Sequence, residues 1–232
     1  MTLSHFFESP EVCHHWQTTL GWQPSAQQQA QFRTLYAAVV AGNQRLNLTR
    51  ILEPQDFWEK HLWDSLAGLA PLAFQARSGT KPLRVIDIGT GAGFPGLPVA
   101  IACPHYQVVL LDSTQKKVAF VQEAIAQLEL TNAVAIAARA EALAQQTEHS
   151  QTYDLALLRA VSSPAACIPY TLPLLKPQGV AVLYRGHWTE TDAQALTGAL
   201  AGTGSTVLSI EGFTTPLTQS VRHCVYIGKA GD

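Results

Sequence analysis

The sequence predicts an α/β protein built on a mostly parallel seven-stranded sheet with an N-terminal helical extension. Three observations carry that expectation. From about residue 83 onward, short and nearly continuous apolar runs alternate with helical patterns, as in strands buried on both faces and joined by crossover helices. Before residue 80, apolar residues recur instead at spacings of three and four, which is helical periodicity. The first apolar run ends in a glycine-rich turn, where an open parallel sheet places its ligand.

The elements follow in order. Ala30, Phe32, Leu35, Tyr36, Val39 and Val40 form one helical stripe. Phe57, Trp58, His61, Leu62, Ser65, Leu66 and Leu69 form a second, led by Glu53-Pro54. Trp58 and Trp63 read as core between helices. Arg77-Ser78-Gly79-Thr80-Lys81-Pro82 is a breaker-rich linker. The expected division is therefore a helical extension over 1–80 and a ligand-binding domain over 81–232. Strands are expected at Leu83–Ile88, Gln107–Leu111, Ala133–Ala137, Tyr153–Leu158 and Gly179–Tyr184. Helices are expected at Phe94–Ala102, Thr114–Leu128, Pro164–Leu175 and about Glu190–Ala201. Thr206–Ile210 and Val221–Ile227 lack room for a helix between them and predict an antiparallel edge.

Composition removes several classes. The 232 residues carry 15 Lys+Arg against 17 Asp+Glu, with 47 % apolar and 14 % charged residues. Disorder needs the opposite balance. Cys13, Cys103, Cys167 and Cys224 are too scattered for a disulfide framework or a CxxC site. His14-His15 has no cysteine nearby, and neighbouring helical side chains diverge, so no metal site is expected. The N-terminus lacks a basic region followed by a long apolar run, and no apolar run approaches the roughly 20 residues of a membrane span. A cytoplasmic protein without membrane contact is expected. Residues 1–82 hold 6 basic and 6 acidic side chains, and residues 83–232 hold 9 and 11. Neither part is a bulk basic nucleic-acid binder, so any RNA footprint must be a local patch.

The strongest local signal is Val85-Ile86-Asp87-Ile88-Gly89-Thr90-Gly91-Ala92-Gly93-Phe94-Pro95-Gly96. Two cofactor readings compete for it. Gly91 to Gly96 matches the dinucleotide pattern G-x-G-x-x-G, with Asp112 after the next strand. Asp87 with Gly89, Gly91 and Gly93 matches the acidic-x-G-x-G-x-G loop of S-adenosylmethionine-dependent methyltransferases. A dinucleotide loop aims a helix N-terminus at an anionic pyrophosphate, and a carboxylate at Asp87 opposes that ligand. It suits a cationic ammonium and sulfonium, so the methyltransferase reading is preferred. Asp87 can alternatively brace the loop by accepting backbone N–H bonds. Asp112 can accept both ribose hydroxyls, or cap the next helix. Ala140-Glu141 follows the third strand, where an adenine would lie.

Further motifs occur in fixed order: Asn47-Leu48-Thr49-Arg50, then Phe57-Trp58-Glu59-Lys60-His61-Leu62-Trp63-Asp64-Ser65-Leu66, then the glycine loop extended by Leu97-Pro98. Leu111-Asp112-Ser113-Thr114-Gln115-Lys116-Lys117 and Leu158-Arg159-Ala160-Val161 follow. Together they resemble the bacterial small-subunit ribosomal RNA methyltransferase G family, also called glucose-inhibited division protein B, over about residues 25–185. The resemblance implies a Rossmann-like class I methyltransferase fold and transfer of a methyl group from S-adenosylmethionine to guanine N7 in 16S ribosomal RNA. By motif matching it places cofactor contacts on Gly89, Phe94, Ala140, Glu141 and Arg159. The residue-level reading adds Asp87, Gly91, Gly93 and Asp112. Substrate would be 16S RNA or a small-subunit particle, and the protein is expected to act as a monomer. The last forty or so residues match more loosely and carry no transferred role.

Guanine N7 already presents an in-plane lone pair, so no general base is required and none is conspicuous; Arg159 is the nearest catalytic candidate. Positioning would supply the catalysis. The Asn/Asp-Pro-Pro-Tyr box for exocyclic amines is absent, and Cys167 reads as a core thiol. Arg45, Arg50, Lys60, His61, Lys116, Arg139 and Arg185 are candidate RNA contacts, each also readable as a solvated charge. Asp64-Ser65 either closes the site or braces helix packing. A small-molecule or protein methyltransferase, a nicotinamide oxidoreductase and a non-catalytic RNA-binding factor remain alternatives at this stage.

Overall fold

The computed structural model of the chain describes residues 6–7, 9–73, 82–159 and 163–229. Most of the breaker-rich linker, the expected boundary at 80/81 and the Ala160-Val161 pair lie outside those residues. The helical part comprises α1 (Pro10–Leu20), α2 (Ala26–Leu46), α3 (Pro54–Phe57), a π-helical run (Trp58–Trp63), α4 (Asp64–Ala67) and α5 (Ala70–Ala73). Then come β1 (Arg84–Ile88), α6 (Gly96–Ala102), β2 (Gln107–Asp112), α7 (Gln115–Gln127), β3 (Ala133–Ala137), α8 (Ala140–Leu143) and β4 (Tyr153–Arg159). The chain continues through α9 (Pro164–Thr171), a 3₁₀ turn (Leu172–Leu174), β5 (Leu175–Arg185), α10 (Glu190–Leu200), β6 (Ser205–Thr214) and β7 (Val221–Lys229).

The seven strands form one sheet in the order β3-β2-β1-β4-β5-β7-β6. β1 to β5 pair in parallel, and β7 runs antiparallel to both β5 and β6. The expected antiparallel edge is therefore present, and the strand order reverses between β1 and β4. That switch point opens a crevice beyond the carboxyl ends of the strands.

Alternation along each strand decides which side chains face which layer. Ile86, Ile88, Val109, Leu111, Ala156, Leu158, Leu183 and Val225 share one core with α8, α9 and α10. Val85, Val108, Leu110, Leu155, Leu157, Tyr184, Cys224 and Tyr226 share the other with α6, α7 and the N-terminal helices. By the same parity, Asp87, Arg159 and Arg222 point to the N-terminal layer.

That layer differs from the sequence expectation in one respect. The second stripe is not a plain α-helix: its middle turn is π-helical. Glu59, His61, Trp63, Asp64 and Ser65 are all buried, so the run has no solvent face of ordinary width. It is wedged between the helices and the sheet. Trp58 meets Trp16 edge-to-face at 5.1 Å, and Trp63 donates its indole N–H to Thr19 at 2.7 Å. Tyr184 donates to the Ser65 carbonyl (2.9 Å) and Tyr226 to the Gly68 carbonyl (2.8 Å). A Cβ at Gly68 would collide with the Tyr184 ring, so only glycine permits this approach. Buried Glu59 accepts the Leu217 and Thr218 amides at 2.5 and 2.9 Å, pinning the β6–β7 loop. Helix α1 was not anticipated from sequence. Ser9 caps its start and left-handed Gly21 its end, while Val12, Trp16 and Leu20 bury its narrow stripe.

Candidate active site

The glycine loop leaves β1 and is held from inside. Thr90 donates its hydroxyl to Asp87 Oδ2 at 2.6 Å, and the Gly96 amide donates to the same oxygen at 2.8 Å. Asp87 is fully buried, and burial pushes its carboxyl up to about 6, against the pull of the Thr90 and Gly96 bonds. A Cβ at Gly96 would lie 2.8 Å from Asp87 Oδ2 and 2.7 Å from Leu110. Asp87 therefore braces the loop through Oδ2, while its Oδ1 is buried without a hydrogen-bond partner among the described residues. Gly89, Gly91 and Gly93 all take positive φ, at 76°, 60° and 94°, a conformation costly for other residues.

The loop's own amides are largely consumed. Those of Gly89 and Thr90 donate to the Leu111 carbonyl, and those of Gly93 and Phe94 to the Thr90 carbonyl. The Gly91 amide donates to Asp112 Oδ2 at 3.0 Å. A pyrophosphate would need such donors free and aimed outward. The loop thus fits a cofactor without phosphate, and the dinucleotide reading fails on this observation.

Beside the loop lies a cavity of about 290 Å³, lined among others by Gly89, Asp112, Arg139, Ala140, Glu141 and Tyr170. It sits over the carboxyl ends of β1, β2 and β3. Asp112 is nearly buried and accepts the Thr114 amide on its other oxygen at 2.8 Å. The N-cap of the next helix is Thr114, not Asp112, and each Asp112 carboxylate oxygen keeps lone-pair capacity for a further donor. The chemistry of this lining, small residues with two carboxylates, fits a neutral adenosine moiety.

A second cavity, of about 420 Å³, opens over the ends of β4 and β5. Lys60, His61, Asp64, Arg159, Arg185 and Arg222 line it, together with Tyr184, His187, Gly186 and Ile51. Arg159 is locked: Nη1 donates to the Lys60 carbonyl at 2.7 Å and Nη2 faces His61 Nδ1 at 3.1 Å. Arginine only donates, so His61 Nδ1 accepts and Nε2 carries the proton, given to Thr49 Oγ1 at 3.0 Å. Burial, then the charges of Arg159 and Lys60, push the His61 imidazolium down to about 3. The ring stacks on Phe94 at 4.3 Å and 7°. Asp64 lies 3.5 Å from Arg159 and 3.8 Å from Arg222. Burial raises its carboxyl above the usual range, although both arginines pull it down.

Two expected site residues are buried side chains. His61 is neutral, has both ring nitrogens partnered, and holds Arg159 at the wall of the second cavity. The Phe94 ring is buried between His61, Phe57 and Arg159, so its side chain supports the second cavity and lines neither one. Gly89, Asp112, Ala140 and Glu141 come together in the first cavity; Arg159 stands in the second. Among the candidate RNA contacts, Lys60 and Arg185 line the second cavity and Arg139 the first. Arg45, Arg50 and Lys116 are exposed and line neither. Lys60 pairs with Asp56 at 2.6 Å, Arg45 with Glu123 at 3.6 Å and Arg185 with Asp192 at 3.9 Å. Cys167 is a buried thiol. Tyr170, His187 and Arg222 were not anticipated. Only strand parity on β7 could have pointed to Arg222. Among the described residues, no group of His, Cys, Asp and Glu could hold a metal ion, and no helix is long and apolar enough to cross a membrane.

Comparison with known proteins agrees with this geometry. The profile of the family described as rRNA small subunit methyltransferase G matches residues 28–223. The ribosomal RNA small subunit methyltransferase G of Trichormus variabilis is 54 % identical over 220 residues, 95 % of this chain and 90 % of that one. Its counterpart from Microcystis aeruginosa is 53 % identical over 221 residues, 95 % of this chain and 98 % of that one. Among solved structures, the [4+2]-cyclase SpnF superposes with a TM-score of 0.56 at 15 % identity, covering 90 % of this chain and 97 % of that one. That likeness speaks for the fold alone.

Proposed function

The chain belongs to the rRNA small subunit methyltransferase G family, and from that premise we propose that it methylates N7 of a guanine in 16S ribosomal RNA. It is an S-adenosylmethionine-dependent methyltransferase of small-subunit ribosomal RNA with the class I fold. The finer statement, guanine N7, is supported by one observation: the second cavity offers rigid positioning and an excess of positive charge, and the buried histidine beside Arg159 is not free to take a proton. That histidine, His61, is held neutral with both nitrogens engaged. Guanine N7 needs no deprotonation before it attacks, whereas an exocyclic amine or ring carbon does require a proton to leave.

In this reading the first cavity takes the cofactor's adenosine. Gly89, Gly91 and Gly93 let the backbone approach it, Asp112 takes the ribose hydroxyls, and Ala140 and Glu141 border the adenine. Asp87 shapes the loop from within, and Phe94 sets the wall behind Arg159. Arg159 stands at the end of β4 in the lining of the second cavity and suits the cofactor's carboxylate. When bound, the cofactor supplies an electrophilic methyl on sulfur; the protein aligns N7 with it, a proximity effect. Lys60, Arg185 and Arg222 surround the entrance and suit RNA phosphates. Residues 1–80 act as a helical extension packed on a catalytic domain over 81–232. The working form is a monomer in the cytoplasm, acting on 16S RNA or a small-subunit particle. Mapping N7-methylguanosine in 16S RNA from cells with and without the protein tests the reading. One site should vanish with the protein; an unchanged map, with labelled methyl going elsewhere, overturns it.

A further inference from the structure

We propose that Asp64 is the residue that selects the base: its carboxylate accepts the N1–H and N2–H donors of the target guanine in the second cavity. The inference rests on the guanine reading above and extends it to a named specificity contact. Asp64 is the one acidic side chain lining that cavity, and its side chain is 12 % exposed. It accepts one long hydrogen bond, from Arg159 Nη1 at 3.5 Å, and stands 3.8 Å from Arg222. Arg159 does not depend on it, because the Lys60 carbonyl and His61 hold its guanidinium at shorter distances. A nearly buried carboxylate without a short partner among the described residues is expensive to maintain. Such groups mark sites where a ligand completes the bonding.

The chemistry of the missing partner follows from the surroundings. Phosphate is excluded at this point, since a carboxylate repels it while Lys60, Arg185 and Arg222 serve it nearby. The partner must bring donors. Guanine carries two adjacent donors on its Watson–Crick edge, which match the two oxygens of one carboxylate. Adenine presents an acceptor at N1 and would be repelled, so the contact selects by attraction and by repulsion. A base drawn out of its stack is read at this edge. The edge lies across the purine from N7, so reading it leaves the reacting lone pair free.

The test has two stages. Wild-type protein first methylates 16S RNA, and the modified guanine is mapped; failure here overturns the guanine reading and the Asp64 assignment with it, whereas failure at the second stage overturns only the assignment. The RNA is then rebuilt with guanosine or inosine at that one position, inosine lacking the N2 amino group. Wild type should prefer guanosine by about tenfold or more in kcat/KM, the worth of a hydrogen bond to a charged group. Asp64→Asn should bring the ratio near one, while S-adenosylhomocysteine affinity stays unchanged. Any intrinsic difference in N7 reactivity cancels between the two proteins. Asp64→Glu, which keeps the carboxylate, should retain part of the preference. A preserved ratio in Asp64→Asn, with both substrates slowed equally, overturns the proposal and leaves Asp64 as support for the arginines. Should Asp64→Asn fail to fold, a wild-type ratio near one is sufficient to overturn it.

Discussion

The two cavities stand on the same edge of the sheet but are made in opposite ways. The first comes from consecutive residues: one strand, one glycine turn and the ends of the next two strands. Most of its backbone donors are satisfied locally, since Asp87 and Asp112 absorb amides of the loop and of the next helix start. The second is assembled from residues 60, 61, 64, 159, 185 and 222, drawn from five separate elements, with Gly186 and His187 added by the chain that follows β5. Its cations outnumber the one carboxylate that lines it, and Arg159, Arg222 and Arg185 reach their carboxylate partners only at 3.5 to 3.9 Å. A contiguous turn can be finished internally, whereas a site for a polyanion and a flipped base must keep its bonding capacity open. The first region should therefore fail through structure and the second through charge.

The largest effect that tests this contrast is at Asp87. Replacing it with Ala removes the acceptor for both Thr90 Oγ1 and the Gly96 amide. Each orphaned donor costs about 1–3 kcal/mol, so a loss of about 4 kcal/mol and a collapse of S-adenosylhomocysteine affinity are expected. Both bonds end on one oxygen, Oδ2, so Asp87→Asn can keep them. Melting curves and a cofactor titration should rank Asp87→Asn near wild type and Asp87→Ala far below. An Asn variant as damaged as the Ala variant would show that charge, not bracing, is what the loop needs.

Acid should act on the second region next. His61 titrates at about 3 in the folded protein and at about 6.5 unfolded. Between those values the unfolded chain binds the extra proton, so stability falls as pH drops. Over pH 6.5 to 4.5 that amounts to about 2 kcal/mol. Asp87 works the other way below about 6, because its raised carboxyl takes a proton more readily when folded. Urea unfolding of wild type beside His61→Gln isolates the histidine, and the difference between them should shrink as pH falls. A pH-independent difference would refute the neutral, doubly bonded histidine.

The seam that carries residues 60–64 to the sheet predicts a smaller effect. Gly68→Ala puts a methyl into the Tyr184 ring, and overpacking of this kind costs about 1–3 kcal/mol. It should raise the KM for RNA more than it weakens cofactor binding. Equal loss of both would mean that the two cavities are not separable.

This contrast also explains what could be read from sequence. The strands, crossover helices and glycine turn were legible because each is written in neighbouring residues with a period of two or 3.6. Boundaries shifted where tertiary packing overrode local pattern: β5 starts at Leu175 rather than Gly179, and the run at Trp58–Trp63 is π-helical. Asp87 was visible as an acidic residue before a glycine loop, but whether it met ligand or loop depended on Gly96, nine positions on. Arg222 was out of reach, and for Asp64 the sequence left open whether it closes the site or braces helix packing. Residue 222 belongs to a strand with no motif, and the meaning of Asp64 depends on what stands opposite it.

The smallest predicted effect is the most direct measure of open charge in the second cavity. Arg185 is only 3.9 Å from Asp192, whereas Lys60 holds Asp56 at 2.6 Å. A phosphate therefore recruits Arg185 at little cost, but must draw Lys60 from an existing partner. Each neutralised phosphate adds about 0.7 to the salt slope for single-stranded RNA. Arg185→Gln should lower the slope of log affinity against log salt by close to that amount, and Lys60→Gln by less. S-adenosylhomocysteine binding by the same variants should be nearly indifferent to salt, because the first cavity presents no cation that the ligand must share with solvent ions except exposed Arg139. A salt-dependent cofactor titration, or equal slopes for the two variants, would erase the distinction between a cavity closed on itself and one left open for its substrate.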